Sequence, residues 1–150
     1  MRFHLIVVGR MRRGIESNLF EHYRKRIRWP LDVREIDGRR GTGNNRDREG
    51  AAILSAMPDD TLVVALDERG CDLASEVFAR KVAEWRNSGI VNIAFVIGGA
   101  DGLSEDVRRR ADLLFAFGSA TWPHLLVRGM LVEQLYRVQQ ILSGHPYHRA

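Results

Sequence analysis

The chain has 150 residues, 45% hydrophobic and 28% charged, the size and balance of one compact soluble domain spanning residues 1–150. No apolar run approaches the roughly 20 residues of a membrane span, and the lone Cys71 excludes an intrachain disulfide and a cysteine-based metal cluster and fits a reducing cytoplasm. The net charge of +4 is unevenly spread: +6 over residues 1–50, −3 over 51–100 and +1 over 101–150, with 21 arginines among the 23 basic residues. Arginine forks onto phosphates and stacks on bases, so a basic N-terminal third points to nucleic acid. A GC-rich coding sequence accounts for arginine over lysine equally well, though less well for the clustering.

Met1 to Val8 is apolar but runs straight into Gly9-Arg-Met-Arg-Arg13, so it reads as a first strand, Arg2–Val8, and not as a signal peptide. Ile15, Leu19, Tyr23 and Ile27 recur at helical spacing between Gly14 and Arg28. Leu31–Ile36 is a second strand, Asp37–Asn45 a loop dense in Gly, Arg and Asn, and Arg46–Ala56 a helix ended by Pro58. Thr61–Leu66 is a continuous apolar run of strand length, as in a strand buried on both faces of a parallel sheet. Ala74–Asn87 is a helix stopped by Ser88-Gly89, and Ile90–Ile97 another buried strand. Ser104 caps a short helix, Glu105–Arg110. Leu113–Phe117 is a fifth strand and Val127–Ser143 the last helix. Strands alternating with helices predict an α/β sandwich around a mostly parallel sheet.

In such sheets ligands gather beyond the carboxyl ends of the strands. Three loops qualify: Asp67-Glu-Arg-Gly70, Gly98-Gly-Ala-Asp-Gly102 and Gly118-Ser-Ala-Thr-Trp-Pro123. Gly98, Gly99 and Gly102 serve either a close ligand approach or a tight turn that needs positive φ. Small residues at Gly118–Thr121 leave room for a flat ligand, and Leu66 ends the strand between them. Together the three loops predict one shared pocket. The last helix carries Val127, Leu131, Leu135, Val138 and Leu142 on one stripe, with Val132 and Tyr136 off it. That excess predicts a second buried face, which dimerisation would supply. Glu133 and Arg137 stand at i, i+4, the spacing of a surface ion pair. The tail, Gly144-His-Pro-Tyr-His-Arg149, holds a proline, an aromatic, two histidines and an arginine, which suits an ordered, proton-handling or phosphate-binding element. A zinc site lacks carboxylate and cysteine ligands there, and no metal is expected.

Four ordered motifs carry a resemblance over essentially the whole chain. Ile97-Gly-Gly-Ala-Asp-Gly-Leu-Ser104, Thr121-Trp-Pro-His-Leu-Leu-Val-Arg128, Glu133-Gln-Leu-Tyr-Arg137 and Pro146-Tyr-His-Arg149 resemble the RlmH family of SPOUT-class RNA methyltransferases. The resemblance implies an α/β fold with a C-terminal trefoil knot, although knots are rare in proteins generally. It implies S-adenosylmethionine as cofactor, held by Leu66, Gly99, Gly118, Ser119, Ala120, Thr121, Trp122 and Pro123. It also implies a homodimer acting on N3 of pseudouridine-1915 of 23S rRNA within assembled ribosomes. Arg137, Tyr147, His148 and Arg149 match the family's substrate-side residues, with the tail reaching the partner subunit's cofactor pocket. Trp122 departs from the smaller residue, often Leu, usual there. Leu125 and Gly129 stand where Pro and Val are common.

The chemistry follows from those assignments. A base nitrogen that is methylated must lose its proton. His148 would assist, Arg137 or Arg149 would stabilise charge on the neighbouring carbonyl oxygens, and Tyr147 would stack on the base or donate a hydrogen bond. Arg10–Arg13, Arg24–Arg28 and Arg39–Arg48 would meet rRNA phosphates. Two rivals stand: a non-catalytic ribosome-binding or assembly factor that keeps the fold, and a flavodoxin-like nucleotide binder using the loop Gly9–Gly14.

Overall fold

The computed structural model describes residues 1–38 and 44–148. Its core is a five-stranded sheet of β1 (Arg2–Val8), β2 (Leu31–Ile36), β3 (Thr61–Asp72), β4 (Asn92–Ile97) and β5 (Leu113–Ala116). The order is β2-β1-β4-β3-β5 and every pairing is parallel. Alternation along β1 feeds two cores: Phe3, Leu5 and Val7 face one side, Ile6 and Val8 the other. The first core is closed by α1 (Ile15–Arg24), α3 (Ser75–Asn87) and α5 (His124–Leu142) through Phe20, Phe78, Val82, Leu131 and Leu135. The second is closed by α2 (Asn45–Ala56) and α4 (Glu105–Arg110) through Ile53 and Val107. The central strands are therefore dry on both faces, which their unbroken apolar runs require. Phe3, Phe78, Phe95 and Phe115 are fully or almost fully buried in one chain of ring contacts, each contributing about 1.5–3 kcal/mol of burial.

The register brings Val7, Ile97, Leu66 and Phe115 into one row across β1, β4, β3 and β5. Everything just beyond that row lies at one rim of the sheet. Two of the nominated segments, Gly98–Gly102 and Gly118–Pro123, leave the sheet there, and the third, Asp67–Gly70, lies within β3 just past the row.

Several boundaries differ from the sequence reading, each for a local reason. The helical pattern runs to Arg28, but α1 stops at Arg24. Gln139 of α5 takes over the next residues, accepting from Arg28 N at 2.6 Å and donating to Arg26 O at 3.2 Å. β4 begins at Asn92, since Ile90 N caps α3 by donating to Trp85 O at 3.0 Å. α5 begins at His124 instead of Val127. Pro123 has no N–H to lose and sits at the cap position, and its carbonyl accepts from Val127 N at 3.0 Å.

Asp67–Gly70 is not a free loop. β3 runs on to Asp72 with a bulge, Leu66 and Cys71 both standing opposite Phe115. Gly70 permits the return: a Cβ there would lie 2.6 Å from Leu114 C and Phe115 N.

The apolar excess of α5 is used within the chain. Leu131, Val132, Leu135 and Val138 are all 0% exposed in the single subunit, packed between α1, α3 and the sheet. The width of that face is accordingly no argument for a dimer, because a helix wedged between two others needs more than one apolar stripe.

Candidate active site

A cavity of about 890 Å³ opens at the carboxyl rim of β4, β3 and β5. Leu66, Ile97, Phe115 and Phe117 give it an apolar floor, and the segments 98–103 and 116–123 wall it. The glycine segment after β4 is a tight turn as well as a wall. Gly99 and Gly102 bridge, Gly102 N donating to Gly99 O at 3.1 Å, and Gly102 takes φ +75°. A Cβ on Gly98 would meet the Gly102 carbonyl carbon at 2.8 Å. The tight-turn reading of these glycines therefore holds, with the positive φ falling on Gly102 alone. Gly118, at φ +80°, turns the chain out of β5 into the second wall.

Polar contacts lock the walls together. Asp67, its side chain 4% exposed, accepts from Arg108 Nε at 2.7 Å and so ties the β3 bulge to α4. Thr121 Oγ1 donates to Glu68 Oε2 at 2.9 Å, joining the second wall to the same bulge. Trp122 Nε1 donates to Phe117 O at 2.9 Å and holds the indole, 42% exposed, at the cavity mouth. The larger residue is thus anchored by a bond that leucine cannot make. Gly129 has its own reason: a Cβ there would come 2.7 Å from Leu19 Cδ2, so α1 lies unusually close to α5.

Behind the cavity stands Arg128, 2% exposed, whose Nη2 donates to Val8 O at 2.6 Å and Gly9 O at 2.9 Å. Burial lowers its pKa, against the pull of Glu35. His124 lines the cavity, and burial, then Arg128, lowers its pKa and favours neutral imidazole.

The tail forms a second cluster. Pro146–His148 makes a 3-10 turn, and Tyr147 OH donates to Glu133 Oε1 at 3.3 Å and lies 3.5 Å from Tyr23 OH. Glu133 Oε1 also accepts from Arg137 Nε at 3.0 Å and Nη2 at 2.7 Å, and the Arg137 guanidinium lies 5.0 Å from the Tyr147 ring centre. Burial, then the bonds to Tyr23 and Glu133, holds the Tyr147 phenol well above its ordinary pKa. The Glu133–Arg137 pair is therefore no free surface bridge, since it seats the tail.

A family model described as predicted SPOUT methyltransferase matches residues 1–148. The chain belongs to the SPOUT methyltransferase family. The ribosomal RNA large subunit methyltransferase H of Rhodospirillum centenum is 59% identical over the full length of both chains. The protein of the same name from Bradyrhizobium sp. is 47% identical over 100% of this chain and 99% of its own. Among solved structures, a probable methylase family protein from Haemophilus influenzae shares the fold with TM-score 0.59 at 10% identity, covering 99% of this chain and 70% of that one. A ribosomal RNA small subunit methyltransferase E from Neisseria gonorrhoeae, bound to S-adenosyl methionine, matches with TM-score 0.51 at 12% identity, covering 95% and 66%.

In this SPOUT methyltransferase the structure gathers Leu66, Gly99, Gly118, Ala120, Thr121, Trp122 and Pro123 around the cavity, while exposed Ser119 points off its wall. Arg137 and Tyr147 meet each other but not that cavity. Arg137 lies 13 residues along α5 from His124, roughly 20 Å at the helical rise. His148 closes the 3-10 turn with its backbone; Arg149, like Arg39 and Arg40, lies outside the described residues. Arg10, Arg12, Arg13, Arg46 and Arg48 are exposed, and Arg46 reaches the cavity rim with Glu16. Sequence reasoning named Asp67 only as part of a ligand loop and Arg128 only as the end of a family motif, and it gave Arg108 no role.

Proposed function

We propose that this protein is an S-adenosylmethionine-dependent methyltransferase of large-subunit ribosomal RNA, acting on N3 of pseudouridine-1915 in the assembled ribosome. The observation that carries this reading is the match of chain and fold together. The 59% identity to a ribosomal RNA large subunit methyltransferase H runs end to end, and the cavity lies where the three segments nominated from the sheet geometry converge. The cavity fits the cofactor. Its apolar floor suits a flat heterocycle, its volume suits a molecule of that size, and glycines let backbone groups approach the ligand. When bound, S-adenosylmethionine supplies the methyl group on a sulfonium, already a strong electrophile.

The chain's own task is then binding and alignment, which contribute roughly 7–11 kcal/mol of barrier reduction in well-oriented sites. Leu66, Gly99 and Gly118–Pro123 would hold the cofactor. Exposed arginines of residues 10–13 and 46–48 would hold rRNA phosphates, making binding weaken steeply with salt. Arg137, Tyr147, His148 and Arg149 would meet the target base, with Arg137 or Arg149 opposite its carbonyl oxygens. Arg137, which Tyr147 contacts, stands roughly 15 Å along α5 from Val127 at the cavity of its own subunit, which supports a homodimer whose tails complete each other's sites. The C-terminal trefoil knot belongs to the same reading. A ribosomal substrate supports a cytoplasmic location, and no described helix is long and apolar enough to cross a membrane.

The test is transfer of labelled methyl from S-adenosylmethionine to ribosomes lacking the modification, compared with free subunits and naked RNA. Mass spectrometry of the nucleosides then locates the methyl. N3-methylated pseudouridine from ribosomes is the expected product. Cofactor and ribosome binding without transfer would instead establish a non-catalytic assembly factor.

A further inference from the structure

The connections of the sheet diverge between β1 and β4. β1 leads outward to β2 at one edge, and β4 leads over β3 to β5 at the other. Such a divergence opens a crevice at the carboxyl ends of the two strands. One polar group in that crevice has no role in the account above. Glu49 of α2 is 8% exposed, and its Oε2 has no hydrogen-bond partner among the described residues. Buried polar groups are otherwise almost always paired, so an orphan at a ligand site asks for a ligand. A Cβ on Gly99 would stand 3.0 Å from Val8 Cγ1 and 3.3 Å from Glu49 Oε2. Gly99 lines the cavity, so the wall between Glu49 and the cavity is one glycine thick.

We propose that Glu49 is the proton acceptor of the methyl transfer, its free Oε2 taking the N–H proton of the target base at the β1–β4 crevice. The proposal rests on the ribosomal RNA reading above. The nitrogen lone pair forms the bond to the methyl carbon, the pair of the broken carbon–sulfur bond stays on the donor sulfur, and the N–H proton passes to Oε2 and then to solvent. Among the described residues, the charged groups acting on Glu49 are Asp101 from the segment after β4 and Arg48 from its own helix. Val8 of β1 stands on the same side of Gly99, and Arg128 Nη2 donates to the Val8 and Gly9 carbonyls while its Nε has no hydrogen-bond partner among the described residues. Burial first, then Asp101, raises the Glu49 pKa against the opposing effect of Arg48. The shift moves the carboxyl toward the working pH, where a general base is most effective. His148 then contacts the base without receiving its proton.

The test compares the full-length wild type with E49Q and H148A in single-turnover transfer to unmodified ribosomes, from about pH 5 to 9. The wild-type rate rises with pH and levels off as Glu49 ionises. E49Q loses about 10²- to 10⁴-fold at neutral pH and loses that plateau. Its affinity for S-adenosylhomocysteine by calorimetry is unchanged, and H148A, at whatever rate, keeps the wild-type pH dependence. A second readout needs no turnover. Glutamine resembles the neutral acid, so E49Q folds. Its stability relative to wild type grows as pH rises from 4.5, the unfolded value, and stops growing at the folded pKa of Glu49. Wild-type transfer with E49Q unchanged in rate and profile overturns the assignment alone. So does loss of cofactor affinity in step with rate, or a stability difference flat in pH. No transfer by the wild type overturns the ribosomal reading, and this assignment with it.

Discussion

Single side chains at the rim decide between charge burial and hydrogen bonding. Arg128 illustrates which wins. Sequestering a guanidinium is costly, and burial does lower its pKa, but Nη2 satisfies the carbonyls of Val8 and Gly9 at the end of β1. Arg128→Met keeps the volume and strands both carbonyls, so its unfolding free energy by urea titration should fall by about 1–3 kcal/mol. Arg128→Lys should not restore it, since the lysine ammonium ends one bond short of the position from which Nη2 reaches both carbonyls. His124 gives a signed pH effect. Its folded pKa lies below the unfolded 6.5, so the unfolded chain binds its proton first as pH falls. Wild-type stability relative to His124→Gln should therefore decline from about pH 6.5 downward and level off below the folded pKa. Parallel melts of the two proteins across that range read the difference directly.

Elements, more than residues, place the cavity. The bulge in β3 lets Asp67 and Glu68 hold α4 and the Gly118–Pro123 wall from one strand. Gly70→Ala forces a Cβ into the Leu114–Phe115 backbone. It should cost about 2–4 kcal/mol in chemical denaturation and weaken S-adenosylhomocysteine binding, because backbone atoms cannot swing aside as side chains do. This is also where the sequence was least legible. Strand and helix identity followed from periodicity, since Val63–Leu66 and Ile93–Ile97 are buried on both faces and α3 on one. The bulge was misread as a loop because Asp67–Arg69 is polar, and only Gly70 marked the close return. The end of α1 depended on Gln139, over a hundred residues away, and no local pattern carries that information. The cavity walls were legible because they follow from sheet geometry. Glu49 was not, since a lone glutamate in a helix reads as solvent-facing until α2 is packed.

At the scale of the molecule, the cavity and the tail cluster, which the proposed function joins in one site, do not meet within the described chain. The cavity lies at the N-terminal end of α5, and Tyr147 is seated on Glu133 and Arg137 farther along the same helix. The proposed function calls for a second subunit as the bridge, although the apolar width of α5 itself is spent inside one subunit. Truncation after Gly144 should then spare cofactor binding and abolish transfer, as read by calorimetry and labelled methyl incorporation. The most direct measurement mixes two inactive proteins. One is truncated after Gly144; the other carries Ala120→Trp, which fills the cavity from an exposed loop. Unfolding and refolding them together forms mixed dimers with one intact cavity facing one intact tail. Methyl transfer to ribosomes restored only in the mixture is the result predicted here. Transfer by the truncated protein alone, or a mixture as inactive as its parts, would contradict a site shared between subunits.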